Sequence, residues 1–421
     1  MSMGTLRWCG ILAVLLMLAG RTAPLHAAAP AESTWIATWT ASPQERWDGE
    51  FALPTHLPFQ FRDQTVRQVA RISIGGQRVR VRLSNEYGNR PLRIGAARIA
   101  LAGKDGAIIA GSDRELRFGG KGDITIPPGA PMLSDPVGLD VPALSRIAIS
   151  LYLPEPTPPA TFHWDARQTA HVGQGNQASA MKLETDTTLT TRVFLDSILV
   201  EADPGTRAVV AFGDSITDGN MATVDVDSRW PDVLAERLAG RNVAVLNAGI
   251  SGARVLRDRM GANALARFER DVLARTGVTS VIVLMGINDI AWHGTPLAPD
   301  EDATGAEALI AGYRQLIARA HARGIRILGA TLTPFEGALI DTPMNGYHDA
   351  DKERVRQQVN AWIRDGGEFD AVIDFDAITR DPAHPARLLP AYDSGDHLHP
   401  GDAWYRAMAE AIDLDALFDD D

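Results

Sequence analysis

From residue 208 onward, apolar runs rich in β-branched residues alternate with amphipathic stretches of helical period. This alternation restricts the fold more than any other feature. Strands joined through helices run parallel in one sheet, and the helices cover its faces. The predicted strands are residues 208–212, 243–247, 278–285, 325–332 and 371–375. The predicted helices are residues 230–238, 255–274, 306–322, 351–364 and 405–417. In such a sheet, ligands bind at the C-terminal ends of the strands.

Upstream, residues 34–200 carry strand signals and no helical period. Arg78-Val79-Arg80-Val81-Arg82-Leu83 alternates strictly, the mark of an antiparallel strand with one wet face. Further short strands are expected at 66–74, 94–101, 124–126, 147–153, 161–164 and 190–200, separated by turns such as Gly75-Gly76 and Pro127-Pro128-Gly129. Many short strands at regular spacing point to an all-β sandwich or jelly-roll-like domain. The Pro-rich segment 154–159 is read as a loop within it. The character changes at Glu201-Ala202-Asp203-Pro204-Gly205. The expected division is a β domain over 30–204 and an α/β domain over 205–421.

Residues 1–29 have the form of an export signal, with Arg7, an apolar core over 10–20 and a small-residue cleavage region near Ala27. That core is too short to span a bilayer comfortably. The expected location is therefore secreted or periplasmic, with no stable membrane anchor. The only cysteine, Cys9, lies inside this segment, so the exported chain is expected to hold no disulfide or thiolate ligand. The net charge of −12 argues against nucleic acid, which needs a basic footprint. No cofactor or metal motif is present. Gly173-Gln174-Gly175-Asn176-Gln177-Ala178 imitates a dinucleotide fingerprint but lies among strands, with no helix to follow.

Chemistry concentrates in four stretches: Gly213-Asp214-Ser215, Asn247-Ala248-Gly249-Ile250-Ser251-Gly252, Gly286-Ile287-Asn288-Asp289 and Asp396-His397-Leu398-His399-Pro400. The first three each follow a predicted strand, so their loops can converge on one crevice. Ser215 supplies a hydroxyl nucleophile, His399 a base and Asp396 an acid to orient it. The backbone N–H groups of Ser215 and Gly252 and the Asn288 amide supply donors for an oxyanion.

These blocks, in this order, resemble the SGNH or GDSL hydrolase family. The first block reads Gly-Asp-Ser-Ile where the family name has Gly-Asp-Ser-Leu. Trp230-Pro231 also recurs there, and the resemblance covers about 208 to the C-terminus. It implies a flavodoxin-like three-layer α/β/α fold with a parallel sheet, and carboxyl-ester hydrolysis without cofactor or metal. It implies Ser215, Asp396 and His399 as catalytic residues, and Ser215, Gly252 and Asn288 as the oxyanion hole. The two-part layout is similar to exported bacterial SGNH esterases, among them arylesterases and acylhydrolases associated with xylan breakdown. The expected reaction is hydrolysis of short-acyl esters, either O-acetyl groups on a polysaccharide or small aryl esters. The alternatives are a lipid-acting acylhydrolase and an inactive glycan-binding protein.

Around these blocks, Asp214 and Asp289 are expected to brace the loops. His397 is expected on the pocket wall or surface, and Asp393 to solvate its loop. Trp292 and His293 are candidates for the pocket lining, and residues 333–348 for a substrate rim. Trp35, Trp39, Trp47 and Trp164 are read as core residues, with a sugar-stacking surface as the alternative.

Overall fold

The computed structural model describes Met1 and residues 34–418. The predicted export signal, with Cys9, lies outside the described residues. Those from 34 to 418 belong to one compact unit.

The first half is antiparallel. Its longer strands are β1 (Thr34–Thr40), β2 (Gln64–Arg71), β3 (Gly76–Ser84), β4 (Ala96–Leu101), β5 (Val137–Val141), β6 (Arg146–Leu153), β7 (Ala170–Gln174) and β8 (Leu195–Ala202). One sheet runs β1-β8-β3-β5, and a second contains β7-β2-β6-β4. The alternation in β3 resolves as expected. Val79, Val81 and Leu83 are fully buried, while Arg78 pairs with Glu201 at 3.0 Å and Arg80 lies over the Trp35 ring. The buried faces of both sheets join one apolar core.

The second half holds the parallel strands β9 (Arg207–Gly213), β10 (Val243–Gly249), β11 (Val278–Leu284), β12 (Arg326–Ala330) and β13 (Ala371–Ile373). Their order is β10-β9-β11-β12-β13, the flavodoxin-like arrangement. The helices are α1 (Ser215–Asp218), α2 (Trp230–Arg237), α3 (Ala264–Phe268), α4 (Ile287–Ala291), α5 (Ala306–His321), α6 (Ala350–Asp365), α7 (Phe375–Thr379) and α8 (Asp402–Ala411). Helix α8 packs with α2 and α7 in one layer, and α5 packs with α3 and α6 in another. Right-handed crossovers put such layers on opposite faces. Central strand β9 is therefore buried on both sides, and Val209, Val210 and Phe212 have no exposure. Each such side chain contributes roughly 1.5–3 kcal/mol.

Two predicted helices are shorter than expected. Residues 255–274 do not form one helix: a loop runs to Asn263, then α3, then a wide π turn over Glu269–Leu273. Gly261 interrupts the periodic stretch, and the Asn263 side chain accepts from Ala266 N–H at 3.0 Å, starting the helix afresh. Likewise α8 ends at Ala411, because Ile412 turns to extended backbone, and only a short 3₁₀ turn follows over Asp415–Leu417. The predicted strand 371–375 stops at Ile373 because Asp374 caps α7, its side chain accepting from Ala377 N–H.

The two halves meet along edge strand β10. Val245 N–H donates to Ser73 Oγ at 3.1 Å, and Thr40 Oγ1 donates to the Asn247 carbonyl at 2.8 Å. An edge that would otherwise offer free backbone groups is thus covered. Arg275–Asp196 at 3.1 Å and Arg270–Glu86 at 2.7 Å add ion pairs across the junction.

Candidate active site

Strand β9 ends at Gly213, and the chain turns directly into α1. Asp214 forms the N-cap, its Oδ1 accepting from Ile216 N–H at 3.1 Å, and Gly219 ends the helix at φ +107°. This tight strand–helix turn presents Ser215 at the C-terminal edge of the sheet. Beneath it, buried Arg267 donates to the carbonyls of Gly213 at 2.9 Å and Ala248 at 2.7 Å. Asp271 faces Arg267 at 2.9 Å, so that buried charge is compensated.

The loop before α8 brings the base. His399 Nε2 lies 2.9 Å from Ser215 Oγ, and His399 Nδ1 lies 2.6 Å from Asp396 Oδ2. A carboxylate only accepts, so Nδ1 carries the proton and Nε2 is left to accept from the serine hydroxyl. Asp396 Oδ1 is fixed by the backbone N–H groups of Leu398 and His399 at 2.9 and 2.8 Å. Burial alone would raise the Asp396 carboxyl. The His399 hydrogen bond and charge, with those two N–H groups, outweigh it and hold the carboxyl well below the usual range.

The donor side is equally constrained. Gly252 sits at φ +76°, and a Cβ there would lie 2.3 Å from Met260 Sδ, so glycine is needed twice over. Asn288, in α4, is almost fully buried. Its Nδ2 donates to the Ala253 carbonyl at 3.0 Å. A carbonyl cannot donate, which fixes the amide orientation and turns Oδ1 the other way. The Tyr347 hydroxyl donates to that oxygen, and Trp292 Nε1–H donates to Tyr347 Oη at 3.2 Å. A directed chain therefore runs Trp292 to Tyr347 to Asn288 to Ala253.

All five sequence-predicted site residues, Ser215, Gly252, Asn288, Asp396 and His399, line one crevice. Asp214 and Asp289 brace the loops as expected. Asp289 accepts from Val255 and Leu256 N–H at 2.7 and 3.0 Å. Burial pushes the Asp214 carboxyl up to about 7 and that of Asp289 up to about 6. Asp393 does more than solvate its loop: it pairs with the half-exposed His397, outside the crevice lining. Trp292 lines the crevice and His293 does not.

Sequence reasoning missed a second network. Asp218, at the end of α1, accepts from Ser251 N–H at 2.9 Å and Ser251 Oγ–H at 2.8 Å. Its other oxygen faces His163 Nε2 at 2.8 Å, and His163 Nδ1 faces the Ser42 carbonyl at 3.0 Å. Both ring nitrogens of His163 thus face acceptors, an arrangement that favours the protonated ring. Burial would lower its pKa, but the charge and hydrogen bond of Asp218 raise it above the ordinary value. The antiparallel half in this way reaches the loop that carries Gly252. Asp218-Gly219 beside the first block is the only sequence signal for this link.

Residues 211–407 match the model of the GDSL-like lipase/acylhydrolase family. The match spans just under half of the chain, and that part resembles the family. Solved structures similar to the GDSL domain include the acetyl xylan esterase AlAXEase, at 20% identity over 48% of this chain and 96% of that one, with a TM-score of 0.35. A carbohydrate acetylesterase family member from Sinorhizobium meliloti matches at 19% identity, over 49% and 94%, with a TM-score of 0.37. The M. smegmatis aryl esterase matches at 16% identity, over 49% and 95%, with a TM-score of 0.39. No curated protein matches the chain. Among the described residues, no helix is long and apolar enough to cross a membrane, and no group of three or more His, Cys, Asp or Glu is placed to hold a metal ion.

Proposed function

We propose that this GDSL protein is a serine esterase that hydrolyses carboxylic esters through an acyl-serine. The observation that carries the reading is the run of contacts from Asp396 to His399 to Ser215, at 2.6 and 2.9 Å. His399 Nε2 takes the Ser215 proton as Oγ attacks the ester carbonyl. The carbonyl oxygen gains negative charge toward the N–H groups of Ser215 and Gly252 and the Asn288 amide. His399 then returns the proton to the leaving alkoxide, and the ester C–O bond breaks. Water, deprotonated by the same imidazole, attacks the acyl-serine; the bond to Ser215 Oγ breaks, the imidazolium returns its proton to that oxygen, and the acid is released. Asp396 stays ionised throughout and stabilises the imidazolium.

The substrates proposed are small aryl esters or short-acyl esters such as O-acetylated carbohydrate. The apolar leader at residues 10–20 supports a place outside the cytoplasm, secreted or periplasmic. The test is release of p-nitrophenol from p-nitrophenyl acetate. Ser215→Ala is expected to lower kcat by roughly a thousandfold or more. Equal turnover by wild type and Ser215→Ala removes Ser215 from the nucleophile's role.

A further inference from the structure

The crevice above Ser215 continues into a cavity of about 460 Å³. That is within the range that encloses a drug-sized ligand and far more than an acetyl group fills. Part of its wall comes from outside the family domain: Ala52, Leu53 and Trp164 belong to the antiparallel half. Trp292, Leu297 and Met344 line the same cavity from the second half of the chain.

This wall is built rather than incidental. Trp164 Nε1–H donates to the Pro54 carbonyl at 3.0 Å, and Trp164 N–H donates to Gln44 Oε1 at 2.7 Å. The Gln44 amide in turn donates to the Met260 carbonyl, beside Gly252. Trp47 meets Phe51, Phe162 and Trp164 edge-on, with centroids 5.6, 5.2 and 5.9 Å apart. Phe51 then packs on Trp292 of the GDSL domain at 6.3 Å. The loop carrying Ala52 and Leu53 is pinned at both sides by these aromatic contacts.

The chemistry of the lining limits what it holds. Among the described residues that line the cavity there is no arginine or lysine, and the only charged groups are the catalytic pair Asp396 and His399. A phosphate or carboxylate head would be buried there without a partner, which costs too much. Beyond Asn220, Ser251, Thr342 and Tyr347, a sugar chain would meet mostly leucine, methionine, proline and tryptophan, which leave its hydroxyls without partners.

We propose that Ala52, Leu53 and Trp164 complete a subsite for an apolar substituent of a neutral ester, an aryl ring or an alkyl chain of medium length. The antiparallel half is then part of the substrate site. This rests on the esterase reading above and shifts its acyl range from short to medium chains, placing aryl and medium-chain esters ahead of acetylated polysaccharide and of charged lysolipids.

The test compares kcat/KM for p-nitrophenyl acetate and p-nitrophenyl hexanoate in the full chain. The wild type is expected to prefer hexanoate. Trp164→Ala is expected to lower kcat/KM on hexanoate by about tenfold or more, the scale of lost apolar contact, and on acetate by under about threefold. Ala52→Phe guards against a folding defect in the tryptophan variant. It fills the cavity from an exposed position, and is expected to reject hexanoate while sparing acetate. A wild-type preference for acetate, or equal losses on both esters in both variants, overturns the subsite. No turnover of either ester by the wild type overturns the esterase reading instead.

Discussion

Tyr347→Phe removes a single oxygen from the chain that ends at the Asn288 amide. Asn288 Oδ1 loses its donor and Trp292 Nε1–H loses its acceptor, both in a buried setting. Each unpaired buried group costs about 1–3 kcal/mol, part of which is recovered when the amide rotates to find another partner. Rotation spoils the aim of Nδ2. Complete loss of one oxyanion donor costs roughly 10²–10³ in kcat, so a misaimed donor falls below that ceiling. The expected loss in kcat is on the order of tenfold, with KM little changed, because the amide acts on charge that develops only in the transition state. Lys352 holds the backbone near Tyr347, its ammonium donating to the carbonyls of Ala291 and Gly346 at 2.8 and 2.7 Å. The loop therefore stays in place when the hydroxyl goes. The assay is steady-state hydrolysis of p-nitrophenyl acetate by Tyr347→Phe, Asn288→Ala and the double variant. If Tyr347 works through Asn288, the phenylalanine costs nothing further once Asn288 is gone. An equal loss in both backgrounds refutes the chain, and so does a raised KM with kcat intact.

Gly252→Ala adds a methyl at φ +76° against Met260, so the loop must move and carry its donor N–H with it. A drop in kcat on the order of a hundredfold is expected in the same assay. Asp214→Asn bears on pH. The carboxyl is raised to about 7 in the folded chain and titrates near 4 when unfolded. Between those values the unfolded state has released the proton and the folded state still holds it. Wild-type stability from this group is thus full below about pH 4 and falls as pH rises toward 7, by at most about 1.4 kcal/mol per unit. Asparagine keeps the cap without the titration. Urea unfolding should show the variant gaining on wild type from pH 5 to pH 7, and a constant difference across that range contradicts the assignment.

Much of this architecture is legible in the sequence because the signals are local. The apolar run into Gly213-Asp214-Ser215 announces a buried strand and a tight turn, and the three-residue spacing of Asp396 and His399 suffices for one to hold the other. Periodicity fails where a specific polar contact intervenes. Residues 255–274 look helical, yet the Asn263 cap restarts the helix nine residues late. Partners far apart in sequence stay hidden. Nothing near Asn288 points to Tyr347, and nothing in the alternating strands singles out His163 as the partner of Asp218. Of the four tryptophans considered in the antiparallel half, Trp39 and Trp47 are buried, while Trp164 lines the cavity. Sequence alone does not separate these outcomes, because both follow from the same strand pattern.

His163 lies on the far side of the linker from Asp218, which it faces at 2.8 Å. Sever the chain at Pro204 and Asp218 loses the imidazole that faces it, while β10 is laid bare along its outer margin. The hydrolase portion thus leans on the front half for the partner of a buried carboxyl and for the cover of a sheet edge, and taken alone is expected to unfold at lower urea than the full chain.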